Sequence, residues 1–304
     1  MKKIIATVSF SFLLVSALNA QTVEFPWMAI PSGAASLSMA GTGTLSDSNL
    51  AWSSNDSPAS AVLSEREFAA EGAYSLIRPS GTSRIGAGAV GKLGDRFSLG
   101  GTFSCLIGNK YDVYNSAGMR TGTFSPNMLG MSLGMGAKLS GSLSLGASLQ
   151  YAREVSAEDA KHNALAVSVM LAFRHEGFLA SAGVHSLGSS LGSSGGVKAF
   201  PSSAKFTAGY DKVICTGQLE ISACADADYY YNNSVSVGAG ASVGYREIVY
   251  LRGGYRYSSS AAPLPSFAGV GLGFELKGIA LNFAYLISND RIGNSLQIGA
   301  GYSF

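Results

Sequence analysis

Residues 294–304 read N-S-L-Q-I-G-A-G-Y-S-F. Successive side chains of an extended strand point to opposite faces. Leu296, Ile298, Ala300, Tyr302 and Phe304 therefore share one side, and Gln297, Gly299, Gly301 and Ser303 share the other. One side is apolar and closes on two aromatic rings. The other is small and polar.

The same pattern recurs through most of the chain. Phe68, Ala70, Gly72, Tyr74 and Leu76 alternate with Glu67 and Glu71, and Phe97, Leu99, Phe103, Cys105 and Ile107 share a parity. Leu129, Met131, Leu133, Met135, Ala137 and Leu139 stand against Gly130, Ser132, Gly134, Gly136 and Lys138. The cleanest run is 142–151, where Leu143, Leu145, Ala147, Leu149 and Tyr151 alternate with Ser142, Ser144, Gly146, Ser148 and Gln150. Segments 235–245 and 268–276 repeat it. Such runs number about 14, each of roughly 10–12 residues, the length a tilted strand needs to cross a bilayer.

The connections carry independent information. Tight turns fall at Gly94-Asp95, Ser140-Gly141, Glu176-Gly177, Arg246-Glu247 and Lys277-Gly278. Longer links lie between them at 108–126, 156–163, 189–202, 258–266 and 289–293. Short turns alternating with long links describe an up-and-down barrel in the outer membrane, with short periplasmic turns and longer external loops. A soluble β-sandwich also alternates, but its wet face would carry Lys, Glu and Thr. The second face here is mostly Gly, Ser and Ala, suited to a barrel interior. In such a barrel Tyr302 and Phe304 also serve as candidate assembly signals.

Composition agrees. Mean hydropathy is +0.22 with only 13% charged residues, low for a soluble exported protein. No apolar run after the N-terminus approaches the ~18 residues of a spanning helix. The net charge of +2 favours no acidic or nucleic-acid partner. Residues 1–20 open with Lys2 and Lys3, continue as an apolar run and end in small residues, the form of a secretory signal peptide. Residues 21–64 do not alternate, are rich in Ala, Ser and Gly, and are broken by Pro26, Pro31 and Pro58. They read as a periplasmic or lumen-inserted leader with one short helix near 34–40, ahead of a barrel over 65–304. Cys105, Cys215 and Cys224 have no metal-site spacing, and Cys215 with Cys224 could close a hairpin disulfide.

Charged residues of the strands fall on the inward parity: Glu67, Glu71, Lys138, Arg174, Asp226, Asp228, Arg252, Arg256 and Glu275. Arg or Lys facing lipid near the midplane costs ~2–4 kcal/mol, so these side chains belong in the lumen. They are expected to form a structural network that holds the leader, with a polar conduction path as the alternative. Catalysis is not expected. His162 in a loop, His175 at a turn and His185 on a strand stand apart from any G-x-S-x-G pattern, and the glycines never open a helix as a phosphate loop requires. No cofactor or metal motif is present.

Two stretches resemble a known family. Gly33-Ala34-Ala35-Ser36-Leu37-Ser38-Met39-Ala40-Gly41, followed by Asp47, Trp52, Asn55 and Ser57-Pro58-Ala59, is similar to the start of the PorV/PorQ family. There a G-A-x-x-x-x-M-x-G segment precedes an acidic residue and an N-P-A turn. Tyr111-Asp112 through Gly118, then Gly122-Thr123-Phe124-Ser125-Pro126, resembles that family's first long external loop. Asn55-Asp56-Ser57-Pro58 interrupts the N-P-A turn. The resemblance implies a 14-strand barrel of the long-chain fatty-acid transporter (FadL) type with an N-terminal segment inside, serving type IX secretion in Bacteroidetes.

The expectation is therefore a non-enzymatic outer-membrane barrel that contacts outer-membrane lipid and docks protein partners or cargo in type IX secretion and surface attachment. Tyr111, Asp112, Tyr114 and Phe124 are the candidate docking residues, since aromatic anchors favour interface hot spots. The alternative is a FadL-like transporter of small hydrophobic molecules. It predicts an apolar pocket between leader and wall.

Overall fold

A computed structural model describes residues 25–78, 80–157, 160–191, 200–214, 218–288 and 293–304. The expected signal peptide, Cys215 and its pairing with Cys224, and parts of three long links lie outside these residues.

The chain closes a barrel of fourteen antiparallel strands. In order they are β1 (Phe68–Ile77), β2 (Thr82–Leu93), β3 (Phe97–Ile107), β6 (Asn127–Lys138), β7 (Leu143–Val155), β8 (Lys161–His175) and β9 (Phe178–Ser190). The circuit continues through β10 (Ser203–Ile214), β11 (Leu219–Tyr230), β12 (Val235–Tyr245), β13 (Val249–Ser258), β14 (Phe267–Leu276), β15 (Ile279–Ile287) and β16 (Ser295–Ser303). Each strand pairs with its neighbour in sequence, and β16 pairs with β1 from Ala69↔Ser303 to Leu76↔Leu296. The link 108–126, expected as a loop, contains a separate two-stranded hairpin, β4 (Tyr111–Tyr114) and β5 (Arg120–Phe124).

Every strand sorts its side chains by parity. Leu133, Leu149, Val169, Leu251 and Ile298 are exposed on the outer face, while Ser132, Ser148, Ser168 and Gln297 are buried in the lumen. Exposed aromatic residues gather near both rims: Phe97, Phe173, Phe178, Tyr245 and Tyr302 at the end with tight turns, and Tyr229 and Tyr257 at the end with long links. A continuous apolar belt between aromatic girdles is stable against hydrocarbon and unstable against water, so the barrel spans a membrane. The wall is regular except in β9, where the pairing with β8 shifts between Val167 and Val169 and Ser186 takes a left-handed φ of 53°. This bulge turns both His185 and Ser186 inward.

At the turn end Phe304 locks the seam. Its N–H donates to the Phe68 carbonyl at 3.1 Å, its carbonyl accepts from Glu67 and Phe68, and its ring stacks on Phe68 at 5.6 Å. Tyr302 lies beside it, ring centroids 5.9 Å apart.

The leader lies inside the bore. It is an irregular thread with two short helices, Ala34–Ser38 and Ser53–Asp56, and three short 3-10 segments. The sequence suggested one helix; the second forms where Trp52 anchors the chain against β2. Phe25 sits at the loop end, packed with Ile77, Leu106 and Phe200. The thread descends to Asp47 at the turn end, doubles back to Asp56 beside His185, and leaves through Ser64 into β1.

Candidate functional site

The leader fits because the wall facing it is small. A Cβ placed on Gly146 would overlap the Pro58–Ala59 peptide, and one on Gly254 would meet the Met39 carbonyl. Only glycine lets the thread lie directly on the sheet there.

Among the described residues, leader and wall share no backbone-to-backbone hydrogen bond between 25 and 64. Wall side chains reach instead for leader carbonyls. Arg84 donates to the Ile30 and Pro31 carbonyls at 3.2 and 3.1 Å and to Ser32 Oγ at 3.0 Å. Gln297 donates to the Ser32 carbonyl at 2.7 Å and Ser144 to the Ala59 carbonyl at 2.7 Å. The Asn55 carbonyl accepts from His185 Nε2 at 2.8 Å and from Gln150 Nε2 at 3.3 Å. Asn55 thus bonds the wall twice, while the Asp56 carboxylate accepts from Asn49 and Asn55 within the leader, at 2.9 Å each.

Arg256 is the centre of the charge network. Its Nη2 donates to both oxygens of Asp226 at 2.6 and 2.7 Å, its Nη1 reaches Asp228 at 3.3 Å and Ser236 Oγ at 3.1 Å, and its Nε holds the Ala40 carbonyl at 2.8 Å. Arg174 pairs with Asp47 of the leader at 3.0 Å. Glu71 is buried beside Ala34, at the start of the first helix. Arg252 donates to Asn282 at 2.8 Å and stacks on Tyr250, 5.0 Å from its centroid. Glu275 pairs with Arg66 at 2.7 Å near the turn end.

Two expected members fall outside the network. Glu67 precedes β1, is exposed at the rim, and pairs with Lys92 at 3.4 Å. Lys138 is exposed at the last position of β6. Both have the inward parity, but the strand ends lie beyond the packed lumen, where water solvates the charge. His162, expected in a loop, is the second residue of β8.

Among the described residues, three spaces adjoin the leader in the bore. A cavity of about 50 Å³ lies at mid-height toward the loop end, lined by Met28 and Asp56 of the leader and by His185, Lys205, Asp228 and Arg256 of the wall. A second, of about 30 Å³, lies between Arg66, Glu71 and Arg252. The turn end opens into a polar vestibule of about 560 Å³ lined by Asp47, Glu220, Arg246, Arg252 and Glu275, among others. Leader residues line all three spaces, and the second cavity and the vestibule share Asp47, Arg66, Arg252 and Glu275.

A packed apolar cluster lies above them. Ile77 of β1, Leu106 of β3, Ala152 of β7, Ala164 and Ala166 of β8, and Phe200 form its buried walls. Phe25 and Trp27 of the leader fill it, 1% and 5% exposed. Phe25 stacks on Phe200 with centroids 5.6 Å apart and planes at 22°, and Trp27 Nε1 donates to Glu154 Oε2 at 3.2 Å. None of these residues was singled out from the sequence. The available signal was that Phe25 and Trp27, with Trp52, are the aromatic residues of a segment otherwise rich in Ala, Ser and Gly.

The β4–β5 hairpin stands off the barrel. Tyr111 packs on Phe124 at 5.6 Å and its hydroxyl donates to the Ser156 carbonyl at 3.0 Å. Asp112 pairs with Arg120 at 2.8 Å, and Tyr114 is 60% exposed. Of the four docking candidates, Tyr111 and Phe124 brace the hairpin and Tyr114 offers a free ring.

No protein-family model and no curated protein sequence matches the chain. Solved structures do. The chain is similar to the toluene transporter TodX of Pseudomonas putida, with a TM-score of 0.56 at 14% identity over 93% of this chain and 99% of that one. It resembles the CymD monoaromatic hydrocarbon channel, with a TM-score of 0.56 at 12% identity over 90% and 97% of the two chains. It also resembles a FadL homologue of Pseudomonas aeruginosa, with a TM-score of 0.52 at 11% identity over 90% and 95%. At these identities the likeness is one of fold.

Proposed function

We propose that this chain is an outer-membrane barrel that passes small apolar molecules, with residues 25–64 as the gate in its bore. The observation that carries this reading is the buried apolar cluster at the loop end, built by the wall and filled by two aromatic side chains of the leader. Ligand pockets are mostly apolar, with a few placed polar groups, and Glu154 supplies one here. The leader is fixed by side-chain bonds rather than strand pairing, so it can shift without breaking the barrel. The likeness in fold to TodX and CymD supports the reading. The turn end then faces the periplasm and the loop end the medium.

Uptake of labelled toluene by cells with an intact outer membrane tests it. Cells carrying the full chain should accumulate toluene several-fold faster than cells with an empty vector. Equal rates would sink the transport reading.

A second reading, partner docking of the PorV/PorQ type, is favoured by the projecting hairpin, where Tyr114 and Met119 are 60% and 63% exposed. Aromatic and Met side chains are enriched at interface cores. Removing residues 108–121 should leave a barrel that still shifts mobility on boiling, yet no longer co-purifies with secretion proteins. Unchanged co-purification would remove the hairpin from this role.

A further inference from the structure

The turn at the loop end differs from the rest of the leader in how it is held. Arg84 grips the carbonyls of Ile30 and Pro31 and the hydroxyl of Ser32. Residues 25–29 lie on the far side of that grip. Their backbone bonds stay within the turn, Met28 N–H to the Phe25 carbonyl at 3.0 Å and Ile30 N–H to the Trp27 carbonyl at 3.3 Å. Among the described residues, one polar contact ties this turn to the wall, the 3.2 Å bond from Trp27 Nε1 to Glu154 Oε2. Phe25 holds a left-handed backbone, φ 58° and ψ 42°, which a residue with a Cβ adopts rarely. The turn is therefore seated by its two rings, and Arg84 marks the hinge about which it would leave.

The vacated space has a definite chemistry. It would be walled by aliphatic and alanine side chains, with the Phe200 ring on one side at stacking distance and one carboxylate oxygen within 3.2 Å of where an aromatic N–H now sits. Such a carboxylate is an acceptor only. Glu154 stands half-buried at the edge of the cluster, so a plain hydrocarbon fits the walls but offers this acceptor no donor.

We propose that this pocket binds a planar aromatic molecule bearing an N–H or O–H donor, of the indole or phenol kind. Glu154 is its acceptor, Phe200 its stacking partner, and Phe25 and Trp27 are its resident stand-ins. The proposal deepens the transport reading and rests on it. Binding requires the turn to swing out about Arg84. Because Met28 lines both regions, the same movement opens the pocket toward the 50 Å³ cavity with His185 and Lys205. A site built around a hydrogen-bond acceptor rejects the isostere that lacks the donor, which separates this ligand class from hydrocarbons of the same shape.

The test is calorimetric titration of the full chain in detergent with indole and with indene, which shares the shape and lacks the N–H. Trp27→Ala vacates the indole position. It should bind indole at least tenfold more tightly than the unmodified chain does, and at least tenfold more tightly than it binds indene. Adding Glu154→Leu to Trp27→Ala should erase that preference while leaving indene binding in place. Phe25→Ala, which vacates the phenyl position, serves as the second variant, and mobility before and after boiling reports whether each barrel is folded. Equal binding of indole and indene by both folded variants would overturn the donor-specific site while leaving toluene uptake as a separate result. Failure of both variants to bind either compound more tightly than the unmodified chain would overturn the stand-in assignment. If toluene uptake fails too, the transport reading falls with it.

Discussion

Arg256 shows how one side chain couples the wall to the leader. It serves two carboxylates of β11 and the Ala40 carbonyl at once, and it is buried with them. Removing one partner of a buried ion pair leaves an uncompensated charge, at a cost of about 3–5 kcal/mol. Arg256→Gln is therefore expected to lower the thermal unfolding midpoint in detergent markedly. Arg256→Lys should recover only part of the loss, since a point charge cannot match the planar guanidinium whose three nitrogens meet Asp226, Asp228 and the Ala40 carbonyl at once. Equal midpoints for Arg256→Lys and the unmodified chain would show that charge alone matters here. Parity made Asp226, Asp228 and Arg256 legible from the sequence. It could not separate them from Glu67 and Lys138, which share the inward parity but end in water, because parity is blind to height along the barrel.

At the scale of the element, strand and leader are matched surfaces. Gly146 of β7 lies against the Pro58–Ala59 peptide, and Ser144 two residues earlier donates to the Ala59 carbonyl. A large side chain at Gly146 has no room unless the leader moves, and overpacking of this kind costs typically about 1–3 kcal/mol. Gly146→Leu should thus raise single-channel conductance in planar bilayers while the barrel keeps its heat-modifiable mobility. Unchanged conductance would mean the leader yields locally without unsealing the bore. The hairpin β4–β5 was hidden in a link read as loop, since two short strands joined by a Gly-containing turn give too few alternations for a period to register. The bulge at Ser186 was hidden for a related reason. Its position depends on how β9 runs against β8, and on the segment at Phe200 and Ser202 that bonds back to Gly188 and Ser186.

Across the whole molecule, the apolar residues lie outside and the polar ones inside, the reverse of a soluble core. Leu133 projects from β6 into the middle of the lipid-facing belt. Leu133→Arg should cost about 2–4 kcal/mol and reduce the folded, heat-modifiable fraction recovered from membranes. Full recovery would deny that this face meets hydrocarbon. The lumen needs no apolar core because the leader supplies one in three patches: around Phe25 and Trp27, around Leu37 and Phe267, and around Trp52 and Val90. The leader thus fills most of the bore with packed side chains.

Alternation along each strand is a local property of extended backbone, since neighbouring side chains must face opposite ways whatever surrounds them. The chain's order of residues therefore determined by itself that strands exist, which face meets lipid, and that short turns and long links alternate around a closed wall. It also marked residues 21–64 as something other than wall. Only the tertiary structure decided that this segment threads the bore, that Phe25 and Trp27 pack into an apolar cluster at its mouth, that Glu154 bonds Trp27 there, and that Arg84 grips the chain just after them at Ile30–Ser32. Those contacts join residues more than fifty positions apart, as the separations of 54 between Arg84 and Ile30 and 127 between Trp27 and Glu154 show. Strand stagger and the path of the leader set such meetings, and no local period records either.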